Sequence, residues 1–475
     1  MKSLKHIILG AAAMSALAAS AQEAPRTAYF LDGYTYRHEL NPAFSGERNY
    51  IALPALGNYN ISLFSSVGVN TFLYPTAEGS PYKLTTFMSP TVSADEFLGK
   101  LSNNNHINAN VDVTLLSAGF KAFHGFNTIS VGVHSDVGVN LPKDFFRFMK
   151  LMQDGGREYN FKDIKAEATA MAEIALGHSH KINSKLDIGA KVKVLLGLGS
   201  VSAHIKDMRV SMAGDAWRIS ADGALEMAAG SGLYVPTKQE AGVDYDNPDE
   251  ADLIEWGDIE YNNFGLAGFG LGIDLGATYQ LLPDLQLSAA VNDLGFISWN
   301  NAVKGRTGAD WTFDGFKDIA VDSDAPNYED NKLDQQLDNM LDDLEDMIDI
   351  HRETVTGSYT KALRATIHLG AEYKMPFYKG LTGGFLFSQY IAGCSSWTEG
   401  RFYATVKPAR WFDATVNYGA STYGSSFGWM LNFHPKGFNF FLGSDHQFFK
   451  LTPQFVPVGH ASASLNLGFN VTFGS

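Results

Sequence analysis

Residues Ala166–Leu196 read AEATAMAEIALGHSHKINSKLDIGAKVKVLL, and their alternation decides the fold. In the first arm Ala166, Ala168, Ala170, Ala172, Ile174 and Leu176 share one side, while Glu167, Thr169, Met171 and Glu173 share the other. The second arm sets Leu186, Ile188, Ala190, Val192 and Val194 against Lys185, Asp187, Gly189, Lys191 and Lys193, with Asn183 and Ser184 between the arms. A period of two is the signature of a strand, and a short polar connection makes the pair an antiparallel hairpin.

The same unit recurs along the chain. Asn110–Ala122 pairs with Asn127–Val139, Leu266–Leu281 with Leu285–Ser298, Ala362–Lys374 with Leu381–Ile391, Arg401–Lys407 with Phe412–Ala420, and Phe427–His434 with Phe438–Gly443. A weaker first strand carries Tyr59, Ile61 and Leu63, and the last runs from Ala461 to Phe473. The links near 125, 183, 283, 377, 409 and 436 are short, whereas those at 68–109, 140–164, 228–263 and 299–360 are long and fill alternate slots. Short turns at one rim and long loops at the other are what a transmembrane barrel requires, and closure leaves no bare strand edge in lipid. Val201–Met212 and Ala216–Met227 form a further hairpin that would raise the count from 14 to 16. Asp207 and Arg209 interrupt one of its faces and His204 and Lys206 the other, so it is expected above the membrane, which leaves 14 strands.

Composition agrees. Charged residues are 18% of the 475, below the usual share of about 25%, and Gly (47), Phe (33) and Tyr (20) are abundant, as strands and turns demand. The formal charge of -15 speaks against a nucleic-acid partner. Lys2 and Lys5 ahead of the apolar run Ile7–Ala18, with Ala19-Ser20-Ala21 before Gln22, read as a signal peptide over residues 1–21. Cys394 is the only cysteine, which excludes an intrachain disulfide and thiolate-built metal clusters. Phe264–Leu282 is long enough for a membrane helix, but glycine at alternate positions makes it a strand.

Three short motifs carry a family resemblance: Asn41-Pro42-Ala43 soon after the mature start, Asp293-Leu294-Gly295-Phe296-Ile297-Ser298-Trp299 ending a strand, and the amphipathic terminal strand to Phe473. Together they resemble the long-chain fatty-acid transporter (FadL/TodX) type of barrel, and more closely an uncharacterised family of such barrels in Bacteroidota. That resemblance implies an N-terminal hatch, here residues 22–50 with Asn41, Pro42 and Ala43 inside it. It also implies a barrel over 51–475 and passage of hydrophobic ligands. The acidic loop inserts depart from the transporters.

Candidate site residues follow from strand parity. Gly268, Gly270, Gly272 and Gly276 would face the lumen and make room for a plug or an apolar ligand; packing against a neighbouring side chain or a local bend is the alternative. Lys185, Lys191, Lys193, Arg364, His368 and Glu372 would point inward, as a polar gate or as a mutually paired lumen wall. In residues 320–353, Leu333, Leu337, Met340, Leu341, Leu344, Met347 and Ile348 recur at helical spacing among acids, an amphipathic helix in the longest outer loop. It would serve as a lid or partner-docking arm, or simply pack on the rim. Calcium is an alternative ligand for this run and for Asp244, Asp246 and Asp252, but neither has the glycine and terminal glutamate of an EF-hand loop. His178 and His180 share a face, more simply a polar strand end than a metal site. No nucleophile elbow, HExxH or Cys–His set is present, and Ser444, Asp445 and His446 are consecutive, so they point apart on a strand.

The expectation is therefore an all-β barrel in the outer membrane of a Gram-negative bacterium, without catalytic residues, metal or other cofactor. Its partners would be outer-membrane lipid and a small hydrophobic ligand. The alternative is a structural or secretion-associated barrel that binds a protein through its acidic loop.

Overall fold

Alternation gives each strand one apolar and one polar face, and a sheet of such strands buries both only by closing on itself in lipid. The computed structural model describes residues 24–52, 57–75, 84–151, 158–211, 217–245, 248–263, 265–307, 310–313, 350–392, 396–422, 424–446 and 462–474. The signal segment and the Leu333–Ile348 helix lie outside the described residues. Fourteen strands close the wall: β1 (Asn49–Ala52 with Asn58–Ser65), β2 (Asn104–Ala122), β3 (Gly125–Pro142), β4 (Glu158–Lys181), β5 (Leu186–Ser211), β6 (Gly268–Leu282), β7 (Leu285–Thr307), β8 (His351–Ala362 with Ala365–Lys374), β9 (Leu381–Ile391), β10 (Trp397–Ala409), β11 (Phe412–Ser421), β12 (Gly424–Phe433), β13 (Phe438–Ser444) and β14 (Ala463–Phe473). Neighbours are antiparallel. β1 closes the ring, pairing with β14 through Asn49↔Phe473 and Tyr59↔Leu467 and with β2 through Tyr50↔Gly119 and Tyr59↔Val113.

β6 shows the division of faces most simply. Phe269, Leu271, Ile273 and Leu275 are exposed on the outside, while Gly268, Gly270, Gly272 and Asp274 are buried on the inside. Ile61, Ile129, Leu176, Val192, Leu369 and Val416 continue the outer apolar belt around the ring. On a closed barrel such a belt is the surface that meets lipid. Among the described residues no helix is long and apolar enough to cross a membrane.

The six short turns gather at one end, where β1 begins and β14 ends. Phe123 and His124 have φ of 55° and 60°, the left-handed pair of a two-residue hairpin. In the next turn Asn183 Oδ1 accepts from Lys185 N (2.8 Å) and Leu186 N (3.0 Å). At the other end the links are not uniformly long, for β9 to β10 and β11 to β12 are joined by a few residues.

Several boundaries differ from the sequence expectation. β4 begins at Glu158 and β3 runs on to Pro142, both inside the stretch 140–164 read as connection, with the helix Lys143–Leu151 between them. The hairpin at 201–227 exists, but its first arm is the continuation of β5. Its second arm, Trp217–Ala228, lies between the upper halves of β5 (Ser200↔Ala228) and β7 (Val303↔Met227), in the column that β6 fills below (Gly197↔Gly268). It therefore adds height to the wall and no strand to its girth.

Residues 24–48 stay out of the sheet and touch opposite walls of the lumen. Tyr29 Oη is 3.0 Å from Ser288 Oγ on β7, Thr35 Oγ1 donates to Asn439 Oδ1 on β13 (2.7 Å), and Ser45 Oγ is 2.8 Å from Ser179 Oγ on β4. Tyr29, Phe30, Tyr34, Tyr36 and Phe44 form one buried cluster with Tyr50, Phe126, Leu386, Tyr403, Met430 and Phe441 of the wall. Full burial of one such side chain is worth about 1.5–3 kcal/mol. The main apolar core of the barrel is thus supplied by its own N-terminal segment.

Candidate functional site

The segment forms a floor held at two places. At its start, Arg26 N and Thr27 N donate to the two oxygens of Asp445 (2.9 and 2.8 Å), and the Arg26 guanidinium lies 2.9 Å from His446 Nε2 and 3.4 Å from Glu399 Oε1. Arg401 grips Glu399 with two bonds of 2.8 Å, and Tyr403 Oη donates to Arg26 O (2.8 Å). Ser444, Asp445 and His446 thus fasten the N-terminal segment, with Ser444 Oγ donating to His446 O (2.8 Å).

The second fastening is Asn41-Pro42-Ala43. Asn41 Nδ2 donates to Ala289 O (3.2 Å), Asn41 Oδ1 accepts from Ala43 N (2.9 Å), and Asn292 Nδ2 donates to Glu39 O and Leu40 O (3.2 and 3.0 Å). A Cβ at Gly276 would fall 2.0 Å from Asn41 Oδ1, and one at Gly189 would fall 2.1 Å from Pro42 O. Only glycine lets the wall approach the floor so closely. The upper glycines have a different neighbour: the Trp299 indole lies over Gly197 and Gly268, Gly270 packs on Ile297, and Gly272 faces Leu363 and Lys193.

Above the floor a buried chain of charges crosses the wall. Lys193 Nζ donates to Asp293 Oδ1 (2.6 Å) and lies 3.0 Å from Asp274 Oδ2 and 3.6 Å from Glu173 Oε2. Lys191 is 3.8 Å from Asp274, and His134 is 3.2 Å from Asp112 and 3.8 Å from Glu173. Asp293 has φ 61°, and the register between β6 and β7 slips there, so the bulge swings its carboxylate inward onto Lys193. Asp293 N then donates to Asp274 Oδ1 (2.8 Å). Arg364 is paired with Asp136 and, at 3.2 Å, with Glu167. His368 Nδ1 is 2.9 Å from Ser388 Oγ, and its ring is 5.7 Å from Tyr29. Glu372 is also buried. Lys185 is a correction: it sits exposed in the turn, because Asn183 bends the chain away before the lumen face begins. His178 and His180 stack at 5.8 Å, with His178 Nδ1 2.9 Å from Asn127 Oδ1. No cluster of three or more metal-capable side chains occurs among the described residues.

Between this chain and the long-loop end lies a cavity of about 430 Å³. Met171, Leu195, Ile297, Trp299, Leu363 and Tyr390 give it an apolar side; His134, Asp136, Glu167, Glu173, Asp293 and Arg364 give it a polar one. Lys193 and Arg364 are committed to carboxylates, so they serve as a paired wall rather than as cations awaiting a ligand. Trp299 Nε1 and His134 Nε2, both buried at the cavity, have no hydrogen-bond partner. Sequence reasoning marked Asp293–Trp299 but missed His134, Asp136 and the Arg26–Glu399–Arg401–Asp445 lock. Charge at inward parity on β3 and β10, and directly after β13, was the available signal.

Floor, charged belt and cavity define a class: a closed fourteen-stranded membrane barrel whose lumen is occupied by its own N-terminal segment below a small-molecule-sized chamber. The chain belongs to a family of unknown function (DUF5723), whose sequence pattern matches residues 42–445. No curated protein matches it in sequence. Among solved structures it is similar to the toluene transporter TbuX of Ralstonia pickettii, at 10% identity and TM-score 0.42 over 94% of this chain and 100% of that one. It is also similar to the toluene transporter TodX of P. putida (8% identity, TM-score 0.41, 93% and 94% covered) and to a FadL homologue of Pseudomonas aeruginosa (10%, 0.38, 93% and 94%).

Proposed function

We propose that the protein is an outer-membrane barrel that takes up a small, largely apolar molecule from the long-loop side and passes it inward when the floor formed by residues 24–48 gives way. The observation that carries this reading is the cavity of about 430 Å³, apolar on one side and bounded below by that floor. Its volume falls in the range of about 300–1,000 Å³ that small-molecule sites occupy. The unpartnered Trp299 Nε1 would donate one hydrogen bond to an acceptor on the ligand, while Met171, Leu195 and Leu363 remove its apolar surface from water.

A titration tests it. Brominated alkyl and monoaromatic probes should quench the fluorescence of Trp299 saturably, and Met171→Trp, which fills the cavity, should weaken the competition of unbrominated ligand about tenfold or more. Absence of saturable quenching in the parent protein would sink the reading, as would whole-cell uptake of such ligands that is indifferent to deletion of the gene.

A further inference from the structure

Five of the six short turns share a composition that neither the cavity nor the floor uses; the sixth, Pro283-Asp284, carries an acid. Phe123, Ile182, Phe377 and Trp411 protrude from four of them, exposed by 78%, 50%, 77% and 51%. Each stands beside exposed cations: Lys121 near Phe123, Lys181 and Lys185 around Ile182, Lys379 near Phe377, and Arg410 next to Trp411. A fifth turn carries Lys436 with Phe438. Lys121 Nζ donates to Glu47 O (2.8 Å) and stays exposed; among the described residues, Lys181, Lys185, Lys379, Arg410 and Lys436 have no carboxylate within ion-pair distance. The chain as a whole carries -15, yet at this end the cations outnumber the exposed acids Asp284 and Glu47, the latter 3.5 Å from Lys407, while Asp249, Glu250, Asp252, Glu255 and Asp258 crowd the far side.

Large apolar tips at a barrel rim are stable where they enter the interfacial zone of a bilayer, and this sets the cations beside them at headgroup depth. Cations held there are attracted to anionic headgroups within a screening length. The tips are spread over β2–β3, β4–β5, β8–β9, β10–β11 and β12–β13, which is around the circumference. A leaflet touches all of them at once, whereas a folded partner would cover one arc.

We propose that the short-turn rim is a binding surface for anionic phospholipid headgroups of the leaflet it meets, with Lys121, Lys181, Lys185, Lys379, Arg410 and Lys436 as the headgroup ligands. The rim thereby sets the depth and lipid surroundings of the barrel independently of what the cavity binds. The full-length protein in mild detergent, titrated with phosphatidylglycerol or phosphatidylethanolamine and read by native mass spectrometry, tests this. Phosphatidylglycerol should be retained about tenfold or more tightly, and the preference should fall steeply as salt is raised. Replacing the six cations by Gln should bring the two lipids to within about twofold, with quenching by the cavity probes unchanged. The parent's salt titration stands even where the sixfold variant fails to assemble. Equal retention of both lipids by the parent protein overturns the proposal, as does a preference that survives the substitutions. Co-sedimentation with purified peptidoglycan in the absence of any lipid preference would assign the rim to the cell wall instead.

Discussion

Gly189→Ala isolates the contact between wall and floor. The added Cβ would stand 2.1 Å from Pro42 O, 2.2 Å from Pro42 C and 2.5 Å from Ala43 N, all backbone atoms. Comfortable carbon contacts lie near 3.5–4.0 Å, so the Asn41–Ala43 stretch must retreat by roughly 1 Å or more. Pro42 cannot rotate out of the way, because its ring fixes φ. The retreat stretches the bonds from Asn41 Nδ2 to Ala289 O and from Asn292 Nδ2 to Glu39 O and Leu40 O, now at 3.0–3.2 Å. At about 1 kcal/mol per bond the loss is roughly 3 kcal/mol, more than a hundredfold in the population of the detached floor. The wall itself keeps every strand-to-strand bond, so heat-modifiable gel mobility should be normal. Gly276→Ala should be milder, since its Cβ meets the Asn41 side-chain oxygen, which can swing aside at the loss of the bond from Ala43 N. Trypsin cleavage at Arg37 and single-channel conductance in planar bilayers report the outcome. Both should rise in Gly189→Ala, less in Gly276→Ala. A Gly189→Ala barrel as closed and as protected as the parent would refute the idea that this glycine seats the floor.

Two further expectations concern the wall and an outer loop. Val192 is exposed to the outside and Lys193 is buried within, so Val192→Lys should cost about 2–4 kcal/mol near the bilayer midplane. Lys193→Met should cost about 3–5 kcal/mol for a different reason, the stranding of Asp274, Asp293 and Glu173. Urea unfolding in lipid vesicles measures both, and adding Asp274→Asn and Asp293→Asn should rescue Lys193→Met but not Val192→Lys. In the outer loop, Arg352 donates to both carboxylate oxygens of Glu240, at 2.6 and 2.5 Å, and that hydrogen bonding holds the Glu240 pKa below its usual value. A depressed carboxylate pKa contributes stability that is complete above the ordinary glutamate range and is lost as pH falls through the depressed value. The protection of the Lys238–Ala241 amides, taken as the intrinsic exchange rate at each pH divided by the observed rate, should therefore be high at neutral pH and fall on acidification. Glu240→Gln should show low protection at both; pH-independent protection in the parent would contradict this.

Sequence alone determined the class of this protein. Alternation with a period of two, repeated between short and long links in turn, has one inexpensive solution in lipid, a closed even-stranded barrel, because each backbone group must find its partner inside the ring. The same local rule placed Lys191, Lys193 and the glycines Gly268, Gly270, Gly272 and Gly276 on the inner face. It failed where a bulge breaks the alternation. Asp163 adopts φ 60°, and the register of β5 with Trp217–Ala228 slips between Ile205 and Asp207, so charges seemed to spoil both faces of what is a continuous strand. Tertiary structure alone decided what fills the lumen. Arg26 meets Asp445 across 419 positions of chain, and Pro42 meets Gly189 across the bore. No period or motif encodes such pairs, since their partners are set by how far the ring curves before it closes and not by anything within reach along the sequence.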